Sequence, residues 1–265
     1  MRTKLIIILL LICFSAFGWE RYYGRLDYWD WCYSVAQLKD SSYVLGGLTY
    51  RPSVLGEPIR ERIWFLKIDQ DGDTIWSKIY NVVDSSESSW SFCLSICATF
   101  DGGFACTGWR GGTPTTRDVF LMKLDSNGDS LWCKKYNIDD SPSPEGNQVI
   151  QTSDSGYAII VYGIAGGGVV RTNSEGDSLW IAPNPYPHMG GGARITEAVD
   201  GDIVVGGEFS YRVSLWRINP EGETRWFRPY GSGLETEGRF VGGGVHATDD
   251  NGIVWVGHIK TPPHP

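Results

Sequence analysis

"KLDSNGDSLWCKKYN", residues 123–137, occurs once before in the chain as "KIDQDGDTIWSKIYN", residues 67–81. Looser copies follow at 171–180, "RTNSEGDSLW", and at 217–231, "RINPEGETRWFRPYG". The tryptophans of the four copies, Trp76, Trp132, Trp180 and Trp226, lie 56, 48 and 46 residues apart. A second phrase drifts in the same way: "DSSYVLGG" from Asp40, "DGGFACTGW" from Asp101, "DSGYAIIVYG" from Asp154, "DGDIVVGGEF" from Asp200 and "DNGIVWVGHI" from Asp250. Its steps are 61, 53, 46 and 50. Two independent markers advancing together mean internal repetition, with a period near fifty.

Each repeat reads as four short strands. Strand A precedes the Asp of the second phrase ("FCLSICATF", "GNQVIQTS", "GARITEAV"), and five residues before that Asp stands Val35, Ile96, Val149, Ile195 or Val245. Strand B follows the turn, strand C is "VFLMKLD", and strand D is "SLWCKKYN". No stretch beyond the first residues has helical periodicity. The expected fold is therefore all-β: a β-propeller of four-stranded antiparallel blades, about five of them present and the last incomplete. The repeats run approximately over 25–81, 82–137, 138–186, 187–231 and 232–265.

The opening phrase also explains itself chemically. In "LDSNGDSLW" the Asp can accept hydrogen bonds from backbone amides of a tight turn, and Gly128 can take the left-handed conformation that closes it. Trp132 then lies in strand D, where its ring can fill the gap between neighbouring twisted sheets. A calcium loop competes, because Asp69, Asp71 and Asp73 crowd one turn. The equivalent positions, Asn173 with Glu175 and Asn219 with Glu221, keep the turn chemistry and lose carboxylates, and the spacing is not that of an EF-hand. The basic residue two before this Asp or Asn repeats as Lys67, Lys123, Arg171 and Arg217, and is expected to pair locally with a blade carboxylate, its stem packed on a neighbour.

The phrases "DGGFACTG", "FLMKLDSNGDSLW" and "KKYN" resemble the repeats of exported bacterial β-propellers. "NGDSLW" is similar to the tryptophan-docking motif of pyrroloquinoline-quinone-like propellers, although the step from Asp125 to Gly128 is one residue shorter than in that family. The resemblance covers residues 19–260 and implies a blade rather than a chemistry. Enzymes of the quinone-binding type imply a calcium site and often adjacent cysteines. No adjacent Cys pair exists here, so no catalytic residue or cofactor is carried over. Sialidase-type Asp boxes differ by one residue in each step.

Composition sets the surroundings. "MRTK", then "LIIILLLICF", then the small residues of "SAFG", read as a secretory signal peptide over residues 1–18, too short for a stable membrane anchor. Its removal takes Arg2 and Lys4 from a chain of net charge −8, leaving −10. That gives no electrostatic case for nucleic acid, and no transmembrane segment is expected after cleavage. The expected location is secreted, cell-surface or periplasmic. Without Cys13 five of the six cysteines remain, an odd number, which is no disulfide framework. Cys93 and Cys97, four apart in an alternating strand, are expected to share a face.

Residues 19–24, "WERYYG", resemble strand D of residues 226–231, "WFRPYG", and are expected to close the ring by completing the last blade. That blade lacks a strand C, so the chain reads either as a truncated gene product or as a weakly closed ring.

Loops divide between two rims. The A–B and C–D turns are short and nearly constant, whereas the B–C and D–A loops vary widely, as on a binding surface carried by a rigid scaffold. On that variable rim the candidates are Trp90, Trp109, Arg110, Arg117, Tyr186, His188, Arg194, Tyr211 and Arg212, because exposed aromatics with Arg suit protein or carbohydrate contacts. The histidines 188, 246, 258 and 264 are scattered, and no GxSxG, HExxH, P-loop or paired-carboxylate signature occurs. The expected function is a non-enzymatic binding module or surface scaffold with a protein or carbohydrate ligand. The alternatives are a quinoprotein-like or glycoside-acting enzyme with its site at the channel mouth, and a periplasmic scaffold for outer-membrane assembly.

Overall fold

A computed structural model of the chain describes residues 20–52, 61–82, 90–113, 116–138, 143–163, 166–185, 193–209, 212–230 and 244–256. Residues 1–18, expected to be a signal peptide, Trp19, three of the rim candidates (Tyr186, His188 and Tyr211) and the histidines 258 and 264 lie outside them. The described residues are β-strands and turns without a helix, and none of their elements is a helix long and apolar enough to cross a membrane.

The strands assemble blade by blade. The first sheet is β1 (Trp29–Gln37), β2 (Tyr43–Tyr50), β3 (Arg62–Ile68) and β4 (Thr74–Tyr80). The second is β5 (Trp90–Ala98), β6 (Phe104–Thr113), β7 (Thr116–Leu124) and β8 (Ser130–Tyr136). β9 (Glu145–Gln151), β10 (Tyr157–Gly163), β11 (Gly166–Thr172) and β12 (Ser178–Pro183) form the third. The fourth is β13 (Arg194–Glu197), β14 (Ile203–Phe209), β15 (Arg212–Ile218) and β16 (Thr224–Tyr230). β17 (Gly244–Ala247) and β18 (Ile253–Val256) pair as a two-stranded sheet, the A and B strands of a fifth blade. All pairs are antiparallel meanders, so each blade is one run of neighbouring strands, as a propeller requires.

The turns show why the opening phrase recurs. Asp125 Oδ1 accepts the amides of Asn127 (2.9 Å) and Asp129 (2.8 Å), and Gly128 has φ +78°. Asp69 does the same for Asp71 and Asp73, and Asn173 for Glu175 and Asp177. The carboxylate is thus replaceable by an amide, which is turn chemistry rather than cation chemistry. A glycine is needed at 128, 176 and 222 for a second reason. A β-carbon there would lie 2.8 Å from the Trp76 ring, 2.6 Å from Trp132 and 2.8 Å from Trp180 respectively. The strand-D tryptophans of the first three blades therefore each sit on the C–D turn of the following blade. Trp76 also stacks on Phe104 and Trp132 meets Tyr157 edge-on, both on strand B of that following blade. The indoles fill the gaps between sheets, and the core is a row of inter-blade layers rather than one central mass.

The basic residues are buried and paired within their own blade: Lys67 with Asp40 (2.9 Å), Lys123 with Asp101 (2.9 Å), Arg171 with Asp154 (2.6 Å) and Arg217 with Asp200 (2.7 Å). Each ties strand C to the A–B turn. Hydrogen bonds from Ser42 and then Lys67 hold Asp40 at about 2. Burial pushes Asp101 and Asp154 upward. Thr99 and Lys123 outweigh it for the first, and Arg171 and Thr152 for the second, so both also sit at about 2.

Two expectations need correction. Cys93 and Cys97 do not share a face. The β5–β6 register slips between Cys93 and Ser95, so Leu94 is an extra residue and the alternation inverts. Cys93 consequently packs with Ile96 against the first blade, and Cys97 against the third. The equivalent slip in β1 falls between Cys32 and Ser34. The second concerns residues 19–24, expected to be a strand: the described part, 20–24, is not in one, although Tyr23 Oη donates to the Gly72 carbonyl of the first blade (2.6 Å), as Tyr136 does to Gly176 (2.7 Å).

Candidate functional site

The registers divide the ends of the blades as the repeat predicts. Starts of A and C strands and ends of B strands share the variable rim, where Trp90 pairs with Gly111, Arg110 with Asp118 and Gly111 with Arg117. At this corner of the second blade three of the expected residues, Trp90, Trp109 and Arg117, come together. Phe92 stacks on Trp109 with ring centroids 4.2 Å apart, Trp90 lies 6.5 Å from Trp109, and the Arg117 guanidinium sits 4.0 Å over the Trp109 ring. Arg117 in turn pairs with Glu145 at the start of β9, joining the second blade to the third. Arg110 donates to the Val82 carbonyl across the previous junction.

This corner is rigid more than open. Trp109 is buried and Trp90 half-buried. Arg117 is half-buried, and burial pulls its pKa below the ordinary value. Phe92 and Glu145 were not singled out in the sequence. Their part follows from register, since Phe92 stands directly opposite Trp109. Arg194 opens β13 and Arg212 opens β15 on the same rim of the fourth blade.

A more accessible aromatic group lies on the first blade. Trp29 and Trp31 meet edge-on at 5.7 Å, and Tyr50 stacks on Trp31 at 5.5 Å. Both indoles are exposed. Trp29 and Trp31 occupy the positions, counted back from the A–B turn Asp, that Trp90 and Phe92 occupy in the second blade. The signal was present as the aromatic-dense "DYWDWCY" of residues 27–33, in a strand whose pattern was not used.

Along the inner strands a further repeat appears. The amide of Ile96 donates to Ser34 Oγ (3.0 Å), that of Val149 to Ser95 Oγ (3.2 Å) and that of Ile195 to Gln148 Oε1 (2.8 Å). Each blade thus lends an acceptor to the next. The equivalent residue of the fourth blade is Arg194, which has no acceptor and donates to the Ala193 carbonyl instead. Arg194 is where this ladder changes character.

Burial pushes the thiol of Cys97 up to about 12 and that of Cys133 up to about 11, so both stay protonated near neutrality. His246 is exposed on β17, and among the described residues no group of three or more His, Cys, Asp or Glu side chains could hold a metal ion.

No protein-family model matches the chain, and no curated protein matches it. Solved structures do. One is a protein of unknown function from Dyadobacter fermentans, at TM-score 0.59 and 10% identity over 84% of this chain and 73% of that one. Another is YCF48 bound to D1 peptide, at TM-score 0.43 and 13% identity over 89% of this chain and 67% of that one. A third is a Bombyx mori GH32 β-fructofuranosidase, at TM-score 0.43 and 10% identity, of which this chain spans 55%. Identities this low speak to fold alone.

Proposed function

We propose that this protein is an exported, non-enzymatic binding module whose rigid propeller presents the variable rim to a carbohydrate or protein ligand. The observation that carries the reading is the pair of aromatic groups at equivalent positions of neighbouring blades. One is locked by Arg117 and Glu145, and the other leaves Trp29 and Trp31 exposed. Pre-positioned rings lose little conformational entropy on binding and offer flat apolar faces, which suits the C–H faces of sugar rings over a charged peptide. The likeness of "NGDSLW" to quinone-type propellers is, on this reading, one of blade construction.

A glycan array with the full chain tests it. At least one polysaccharide class should bind, and Trp29→Ala with Trp31→Ala should weaken that binding at least tenfold while leaving the melting temperature almost unchanged. Binding indifferent to both tryptophans would overturn the rim assignment. Dye reduction after adding pyrroloquinoline quinone and calcium would overturn the non-enzymatic part.

A further inference from the structure

One row of residues crosses the variable-rim end of each of the first two blades. In the second blade it is Trp90, Gly111 and Arg117, paired in that order across strands A, B and C. In the first, Trp29 pairs with Tyr50. Thr49 pairs with Arg62, so the next step of the ladder sets Tyr50 beside Glu61. Glu61 and Arg117 each stand six residues before the strand-C cation, Lys67 or Lys123. Directly opposite residues share a face of a sheet. Here that face looks at the second blade, because Val44, Ile63 and Phe65, on the same alternation as Tyr50 and Glu61, pack with Cys93 and Ile96.

The exchange of Arg for Glu changes what the corner supplies for itself. Arg117 lies over the Trp109 ring and pairs with Glu145 of the third blade, so the second corner brings both its cation and its carboxylate. The first corner brings only the carboxylate. Among the described residues no cation pairs with Glu61. Its Oε2 is buried without a hydrogen-bond partner, and burial pushes its carboxyl above the ordinary range. The Tyr33 phenol is pushed up as well, by burial first and then by the charge of Glu61. On the facing wall of the second blade Arg110 donates to the Val82 carbonyl instead. Ser91, on the same wall and fully buried, donates its amide to the Glu61 carbonyl (3.2 Å), while its hydroxyl has no partner. The rings are open where those of the second corner are closed: Trp29 and Trp31 are 54% and 39% exposed, against 5% for Trp109.

We propose that this corner binds a sugar carrying a free amino group, with the protonated amine paired to Glu61 and the sugar ring laid on the indoles of Trp29 and Trp31. The inference rests on the reading of the rim as a carbohydrate site and adds the chemical class of the sugar. The amine takes the part that Arg117 plays in the second corner, a cation held between an aromatic face and a carboxylate. A neutral sugar would leave the Glu61 carboxylate buried without a counter-charge, which costs binding energy. The net charge of −8 draws a cationic ligand toward the chain and repels an acidic one.

The probe is a β-1,4-linked glucosamine hexamer, titrated into the full chain by calorimetry beside its fully N-acetylated counterpart and hexalysine. The amino hexamer should bind saturably, and N-acetylation should weaken binding at least tenfold. Glu61→Gln should weaken binding of the amino hexamer at least tenfold with no fall in melting temperature, since a carboxyl without a cation does not hold the fold. Glu175→Gln, on the opposite rim, should bind normally. Equal binding of both hexamers, indifferent to Glu61→Gln but lost in Trp29→Ala with Trp31→Ala, would overturn the amino-sugar assignment and leave the rim reading standing. No binding of any saccharide would overturn both. Hexalysine binding as tightly as the amino hexamer would reduce the effect to charge attraction and overturn the assignment. A fall in melting temperature with Glu61→Gln would make the carboxyl a structural group and overturn it too.

Discussion

The junctions between complete blades differ sharply from the seam at the outer flank of the first blade, where residues 20–24 lie. Five residues before the A–B turn Asp, Ile96, Val149 and Ile195 are 6%, 2% and 2% exposed, because each packs on the preceding blade. Val35, the same position in the first blade, is 58% exposed. The turn contacts nevertheless persist at the seam, where Tyr23 still reaches Gly72 and packs with Tyr43, Leu45, Trp64, Leu66 and Ile68. A junction is therefore made of two separable parts: a turn clamp supplied by strand D, and an apolar layer supplied by strands A to C. The seam has the first and lacks most of the second.

The sharpest way to break that comparison is at a turn glycine. Gly128→Val must place a branched side chain at φ +78° and 2.8 Å from the Trp76 ring. It should cost about 3 kcal/mol or more by denaturant unfolding, from backbone strain and overpacking together. Gly102→Ala, at φ +88° with open space around it, should cost only about 1 kcal/mol. Equal losses would mean that the tryptophan does not clamp the turn.

Next in size is the apolar layer. Ile96→Ala should destabilise by about 2–4 kcal/mol and Val35→Ala by less than about 0.5 kcal/mol. A large loss at Val35 in unfolding melts would mean that the seam is closed in solution.

Acid should act on the A–B turns of complete blades. Carboxyls at about 2 in the folded chain for Asp40, Asp101 and Asp154, against about 3.9 unfolded, contribute fully above about pH 4. The contribution is lost as the pH falls through 2, since protons then bind the unfolded chain more readily. The melting temperature should fall between pH 4 and 2, and Asp101→Asn should flatten that dependence.

The smallest effect is the most informative about the seam. Tyr136→Phe and Tyr23→Phe each remove one hydrogen bond to a turn carbonyl, worth about 1 kcal/mol. Similar losses at both would confirm that residues 20–24 do the work of strand D. No loss at Tyr23 would separate the amino terminus from the ring.

The blade architecture was legible because turn chemistry and inter-blade packing act on the same residues. Gly128 must satisfy a backbone angle and admit Trp76, so the phrase repeats closely enough to be seen. The cations were legible for a similar reason, since Lys123 must be buried by its stem and paired by its head. The bulge at Leu94 was not, because one extra residue leaves no compositional mark while it inverts every later side chain of β5. The aromatic corner was half legible. Trp90, Trp109 and Arg117 do meet, whereas Arg110 turns to the previous junction, and Phe92, Glu145 and the exposed Trp29 and Trp31 depend on cross-strand register. The strand-D role of residues 20–24 was visible in "WERYYG", but its form was not. Tyr23 makes the clamp without a neighbouring strand to pair with.

The central claim is that each strand-D tryptophan belongs mechanically to the following blade. Amide hydrogen exchange of Trp132→Ala tests it most directly. The account predicts that protection falls in the third blade's turn, at Gly176 and Asp177, whose amides bond to Asn173, more than at the second blade's own turn amides of Gly128 and Asp129. Loss confined to residues 116–138, with the turn at 173–177 unchanged, would contradict it.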